Sequence, residues 1–143
     1  SVVIELDTKS FLRALHDTQE TKSENIIGMK NYDLGEISGV ELSFTDAIPL
    51  SDGRIVFLAT AEATDDEYQD GASLGSSLGI MKENGEIERI TRISGKDKFE
   101  GICVDNAAKT TGGSASTIDI LLVSDTDNEK IPSNLYRGSI SLN

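Results

Sequence analysis

Four carboxylates stand at the tips of short apolar runs. They are Asp46 in Phe44-Thr45-Asp46-Ala47-Ile48, Glu62 after Leu58-Ala59-Thr60-Ala61, Glu100 in Lys98-Phe99-Glu100-Gly101-Ile102, and Asp125 after Leu121-Leu122-Val123-Ser124. If these runs are antiparallel strands, the residues that open the first strand of a pair and close the second lie at one end of the sheet, because successive strands reverse direction. Asp46 and Glu100 would open first strands, and Glu62 and Asp125 would close second ones. Acid groups gathered at one rim repel each other unless a cation or shared protons compensate. Oxygen-only ligands suit Ca²⁺ or Mg²⁺ rather than zinc or copper. The same pattern also fits four carboxylates that each accept backbone N–H bonds at their own strand end and hold no metal.

Other chemistries lack their parts, and no catalytic residue is identified. The single His16 is remote from the Ser-rich stretches, and no Gly-x-Ser-x-Gly elbow is present. Asp125-Thr126-Asp127-Asn128-Glu129 begins like a calcium loop, but Lys130 stands where Gly is required and Tyr136 where a bidentate Glu is required. Gly71 to Gly79 is rich in glycine yet lacks the Gly-Lys-Ser/Thr ending of a phosphate loop. Cys103 is the only cysteine, which excludes an internal disulfide and thiolate clusters. Its place in an apolar run predicts a buried, inert thiol. His16 is expected at the surface or in packing.

The elements that must position these residues are mostly strands. Val2–Leu6 reads as a strand, and Asp7 caps a short helix whose Phe11, Leu12 and Leu15 share a face. Asp17–Asn25 is polar and reads as a loop, followed by a strand from Ile26 to Leu34. Val40, Leu42 and Phe44 alternate, so they share one side of a strand. Arg54–Glu62 is apolar on both sides, as in a strand covered on both faces. Residues 63–79, acidic and then rich in Gly and Ser, read as a long connection. Around Glu83-Asn84-Gly85 the alternating Ile residues predict a hairpin. Lys98–Val104 and Ile118–Asp125 flank a Gly/Ser/Thr-rich excursion over 106–117, and Leu135, Ile140 and Leu142 predict a final strand.

The 143 residues suit one domain, with 37% hydrophobic residues and no Trp, so the core must come from Ile, Leu, Val and Ala. A balance of 25 acidic against 13 basic residues gives a net charge of -12. That charge repels phosphate backbones and anionic membranes, so neither nucleic acid nor a membrane is an expected partner. No apolar run approaches the roughly 18 residues of a transmembrane helix.

Two segments repeat. Phe44–Leu50 aligns with Phe99–Val104, with a one-residue slip after the aromatic, and Leu58–Asp65 aligns with Leu121–Asn128, which pairs Glu62 with Asp125. Each unit then runs through a polar linker into a third strand, at Leu78 and at Leu135. A period of roughly 50 residues with several antiparallel strands is the pattern of a propeller blade. Phe99-Glu100-Gly101-Ile102 followed by Leu121-Leu122-Val123-Ser124-Asp125 resembles inner strands of the gluconolactonase and regucalcin, SdiA-regulated and esterase-like phytase propellers. The ordered set Phe44-Thr45-Asp46, Ala61-Glu62, Asp70-Gly71, Lys98–Gly101, Ser124–Asp127 and Pro132–Leu135 resembles an uncharacterised bacterial six-bladed propeller family. For Glu100, the resemblance to gluconolactonase-type propellers implies a metal-ligand role.

The expected architecture is all-β, with propeller-like antiparallel blades in an incomplete set of about two and a half. Residues 1–143 would be a single domain or the C-terminal portion of a larger propeller. The remaining blades of a parent chain, or a second copy, would be its partners, since open sheet edges invite pairing. The expected role is a binding or scaffold module that uses one rim, over 63–77 and 126–134, for a partner or small-molecule ligand. The alternative is a divalent-metal-dependent hydrolase of the lactonase or phosphoesterase kind, with Glu100 and Asp125 as ligands and Asp46 or Glu62 as ligand or general base.

Overall fold

Alternating apolar residues and turn signals produce ten strands and one short helix among the described residues. The computed structural model describes residues 1–17, 25–63, 72–105, 117–127 and 130–142. The chain divides into two compact units, Ser1–Asp33 and Leu34–Asn143.

In the first unit, strand β1 (Val2–Leu6) pairs antiparallel with β2 (Ile26–Asn31), and helix α1 (Thr8–His16) lies between them in sequence. Asp7 caps the helix as expected, its Oδ1 accepting the Ser10 N–H at 2.9 Å. The hydrogen bonds from Ser10 hold the Asp7 carboxyl below its ordinary value. His16 is exposed, its Nδ1 3.0 Å from the Asp17 carboxylate. The rest of the predicted polar loop, 18–24, lies outside the described residues.

The second unit holds two antiparallel sheets. One has the order β3 (Glu36–Ile37), β4 (Val40–Pro49), β5 (Ile55–Ala63), β6 (Ala72–Met81), β7 (Ile87–Arg92). The other has the order β10 (Leu135–Ser141), β9 (Thr117–Asp125), β8 (Lys98–Val104). The fold is thus all-β, with propeller-like antiparallel blades in an incomplete set, one of four strands extended by β3 and one of three.

Central β5 is buried from Val56 to Ala61, as its two-sided apolar sequence predicts. The long connection expected over 63–79 is corrected. Ala72–Met81 is a ten-residue strand, paired with β5 from Ala63↔Ala72 to Ile55↔Met81 with one register shift between Ala61 and Glu62. Its Gly and Ser residues have low intrinsic strand preference, but at Gly79 a large neighbour leaves no room for a side chain. A Cβ placed on Gly79 would lie 2.0 Å from Cζ of Phe57, its partner across the ladder. The acidic stretch 64–71 lies outside the described residues, as does 106–116. The hairpin between β6 and β7 forms around Gly85, which takes the left-handed φ of +75° that a tight turn favours.

Strands β4 and β8 each carry a β-bulge in their pairing with β5 and β9, and the two match. In β4, Phe44 pairs with Ala59 and Asp46 with Leu58, leaving Thr45 as the extra residue. In β8, Phe99 pairs with Ser124 and Gly101 with Val123, leaving Glu100 extra. An extra residue flips the face on which the following side chains lie. Leu42 and Phe44 therefore share the side of Phe57, whose ring meets Phe44 edge-on at 5.1 Å. Asp46 and Ile48 fall on the opposite side, with Val56 and Leu58. That opposite side packs on the second sheet, and Val56, Leu58, Leu78 and Ile80 form one core with Phe99, Ile102, Ile120, Leu122, Ile140 and Leu142. At the far end the Arg54 guanidinium donates to the Leu142 carbonyl at 2.8 Å and Arg89 donates to that of Ser141.

Gly79→Ala is expected to destabilise the protein by about 2 kcal/mol, because the methyl must displace an aromatic ring in a filled core. Combining it with Phe57→Leu, which vacates that space, should cost less than the sum of the two single changes. Urea denaturation of the three variants checks this, and strict additivity would show that Phe57 and Gly79 do not share one space.

Candidate functional site

The matching bulges bring a polar seam to the junction of the two sheets. A bulge takes backbone groups out of the regular ladder, and here those of Phe99 turn to side chains of the first sheet. The Phe99 N–H donates to Ser76 Oγ at 2.9 Å, and the Phe99 carbonyl accepts from Thr45 Oγ1 at 2.8 Å. Thr60 Oγ1 lies 2.9 Å from Ser76 Oγ, and Ser76 Oγ donates to the Asp97 carbonyl at 2.7 Å. Asp46 joins the same seam, its Oδ2 accepting the Ile102 N–H and its Oδ1 that of Ala47, each at 2.8 Å.

At the rim above this seam stands Lys98, the first residue of β8 and only 6% exposed. Its Nζ lies 3.0 Å from Glu100 Oε1, 3.1 Å from Asp127 Oδ2 and 3.3 Å from Glu62 Oε1. Glu62 comes from the end of β5, Glu100 from the bulge of β8, and Asp127 from just beyond β9. Burial by itself pushes a lysine pKa down. Here the hydrogen bonds to Glu100 and Asp127 and the charge of Glu62 outweigh burial, and the Lys98 pKa is raised above its ordinary value.

Asp127 owes its position to Asp125. The Asp125 Oδ1 accepts the Asp127 N–H at 3.0 Å, an Asx turn that carries Asp127 at a left-handed φ of +50°. Thr126 Oγ1 donates to the Ile131 carbonyl at 2.9 Å and fixes the turn from its other side.

The structure therefore separates the four acids read from the sequence. Glu62 and Glu100 meet, with Lys98 Nζ beside both. Asp46 and Asp125 accept backbone N–H groups, Asp46 in the interior of β4 because that strand begins at Val40. Asp127 was not among the four, and the register explains why. Counted from the bulges, Leu58 corresponds to Val123, so Glu62 corresponds to Asp127, two residues beyond the match read from the sequence. Lys98 was also missed as a site residue, although it stands two positions before Glu100.

An ammonium thus takes the place a cation would occupy among these carboxylates. Among the described residues no group of three or more His, Cys, Asp or Glu side chains is arranged to hold a metal ion. Cys103 is exposed on β8, which corrects the expectation of a buried thiol. It pairs with Leu121 on the side of the sheet turned away from the first sheet. A groove of about 410 Å³ runs between β7 and β10 over Leu78, Ile120, Leu122 and Ile140.

Fold and site together define an all-β protein of propeller-like sheets, joined at paired bulges beneath a lysine enclosed by carboxylates. The chain belongs to a family of unknown function, DUF6929, whose model matches residues 1–140. No curated protein and no solved structure matches it.

Lys98→Met is expected to cost about 2–3 kcal/mol, since it leaves acid groups facing each other without a counter-ion while they keep partial contact with water. The pH dependence follows from the raised pKa. The stabilisation is fully present below the unfolded lysine value of about 10.4 and is lost as pH rises through the folded value. Urea midpoints of the wild type and Lys98→Met, measured from pH 7 to about pH 11, should keep a constant gap up to about pH 10 and then converge. A gap that is absent at pH 7 would remove the stabilising role of Lys98.

Proposed function

We propose that the protein is a binding or scaffold module that engages a partner at the rim around Glu62, Glu100, Asp125 and Asp127. One observation carries this reading: Lys98 Nζ lies within 3.3 Å of oxygens from Glu62, Glu100 and Asp127. The cluster is thereby held in place by the chain's own cation. Three carboxylates around a single ammonium leave an excess of negative charge and more acceptor lone pairs than the ammonium can fill. A ligand bearing ammonium, guanidinium or N–H donors complements such a rim, and the net charge of -12 draws it in.

A metal-dependent hydrolase would need carboxylates open to the metal and a position for an activated water. Lys98 competes for the same oxygens, so it works against that arrangement. The rim also suits the propeller resemblance, in which the ends of the sheets form the contact surface.

Fluorescence anisotropy with a short Lys/Arg-rich peptide as probe tests the reading. Binding at low salt should weaken at least about threefold in Glu100→Gln/Asp125→Asn, a loss larger than two of the 25 acidic residues would cause through net charge alone. Calorimetry with CaCl₂ and MgCl₂ should give no binding heat in the wild type. Unchanged peptide affinity in the double variant, or Ca²⁺ heat abolished by Glu100→Gln, overturns the proposal, the second result in favour of the metal enzyme.

A further inference from the structure

The two sheets of the second unit are built alike but end differently. Leu58 corresponds to Val123, and the strand pairs Leu58↔Leu78 and Val123↔Leu135 make Leu78 the counterpart of Leu135 and β6 that of β10. β6 carries β7 on its far side, whereas β10 is an edge strand among the described residues. The backbone of that edge is aimed as β6 is aimed. The Ser124 N–H donates to the Asn134 carbonyl at 3.0 Å, so Asn134, Tyr136, Gly138 and Ile140 turn their backbone groups toward β9. Leu135, Arg137, Ser139 and Ser141 turn theirs away from it. In the first sheet the Ser76 carbonyl accepts the Ile93 N–H at 2.9 Å, which puts Leu78 in the set that faces β7, as Leu135 is in the set that faces outward. One outward group of β10 already has a donor, the Arg89 guanidinium on the Ser141 carbonyl.

The groove between β7 and β10 lies along this edge, and Leu78, Ile93, Ile120, Leu122 and Ile140 give it an apolar lining. Arg89 and Thr91 of β7, with Ile93 just beyond it, are on the side of the first sheet that carries Leu78 and Ile80, and all three are exposed. Gly138 lines the other wall. A Cβ placed on it would meet Ile120 Cγ1 at 4.0 Å and nothing nearer, so the space above it is open. A strand laid beside β10 would send every second side chain into this groove and against β7.

We propose that β10 takes up an extended segment of another polypeptide as a fourth, antiparallel strand, with alternate apolar side chains seated in the groove. The occupant is a strand because the edge offers backbone donors and acceptors at every second residue, as β6 offers them to β7. It is apolar on one side because Leu78, Ile120, Leu122 and Ile140 meet that side. The chain's own stretches outside the described residues lack such a pattern: Tyr68 is the only apolar side chain larger than alanine in 18–24, 64–71 and 106–116. Arg137 takes part through its backbone alone, its side chain staying paired with Asp105. The inference is independent of the rim proposal, since Ser139 and Ser141 pair with Asp119 and Thr117, at the end of β9 away from Asp125.

The probe is the peptide Thr-Val-Lys-Val-Thr-Val-Glu, capped at both ends and without net charge, titrated into ¹⁵N-labelled protein. Saturable binding below about 1 mM should move the amide signals of Arg137 and Ser139 and change little as salt rises from about 0.05 to 0.5 M, unlike binding at an acidic rim. Ser139→Pro removes an outward N–H without breaking the ladder to β9 and should weaken the peptide about tenfold or more. Gly138→Val fills the groove and should weaken it equally while melting no lower than the wild type. Residues opposite Arg137 and Ser139 share their outward side of the sheet, so N-methylation of the peptide at Thr and Lys should abolish binding, whereas at Val it should cost less than about threefold. No binding up to about 1 mM, or binding indifferent to Gly138→Val and to the place of N-methylation, overturns the proposal. So does a wild-type dimer formed without peptide and lost in Ser139→Pro, which would make a second copy the occupant.

Discussion

A lysine ammonium withdrawn from water needs several oxygen acceptors within reach, and here three separate parts of the chain supply them. Glu62 arrives from the end of β5, Glu100 from a bulge and Asp127 from a turn, all closing on Lys98 Nζ between 3.0 and 3.3 Å. Each acceptor depends on a different backbone feature. The register of β5 sets Glu62, the extra residue of β8 sets Glu100, and the Asx turn at Asp125 sets Asp127. An ion cluster of this kind contributes little net stability compared with well-packed apolar groups, but it discriminates strongly against other registers. A slip of one residue in β8 would send Lys98 to the other face of the sheet and leave the acids without their cation.

The same logic runs through the seam beneath it. Two bulges expose the backbone of Phe99 to the first sheet, and Thr45, Thr60 and Ser76 meet it with hydroxyls. Among the described residues, no buried side-chain nitrogen or oxygen lacks a hydrogen-bond partner. A buried polar network is stabilising only when it is complete in this way. Burial of Val56, Leu58, Ile80, Ile120 and Leu122 then supplies the larger, non-directional attraction between the sheets. The apolar contact brings the sheets together, and the bulge contacts fix how far one is shifted along the other.

Much of this fold was legible in the residues. The alternation of Val40, Leu42 and Phe44, the two-sided apolar run of β5, the turn at Asn84-Gly85 and the Asp7 cap each carry a local signal, and each element formed where that signal stood. The repeat was legible in outline, down to the match of Leu78 with Leu135. What escaped was register. A bulge inserts one residue without any compositional mark, so the alignment of acidic tips was displaced by two positions and Asp125 was chosen where Asp127 reaches the lysine. The strand at Ala72–Met81 escaped for a related reason: its glycines and serines look like a loop until the ladder partners are known, Phe57 opposite Gly79 and Thr60 opposite Ser76. Cys103 was misjudged because strand membership does not say which side faces solvent.

The central claim is that Lys98 serves as the chain's own cation at the carboxylate rim. It is tested most directly by nuclear magnetic resonance of lysine side-chain ammonium groups in ¹⁵N-labelled protein at neutral pH. The account predicts one ammonium signal sharp and slow to exchange with water, absent from Lys98→Met, and unmoved by added CaCl₂. An ammonium in fast exchange like the surface lysines, or one displaced by Ca²⁺, would contradict it.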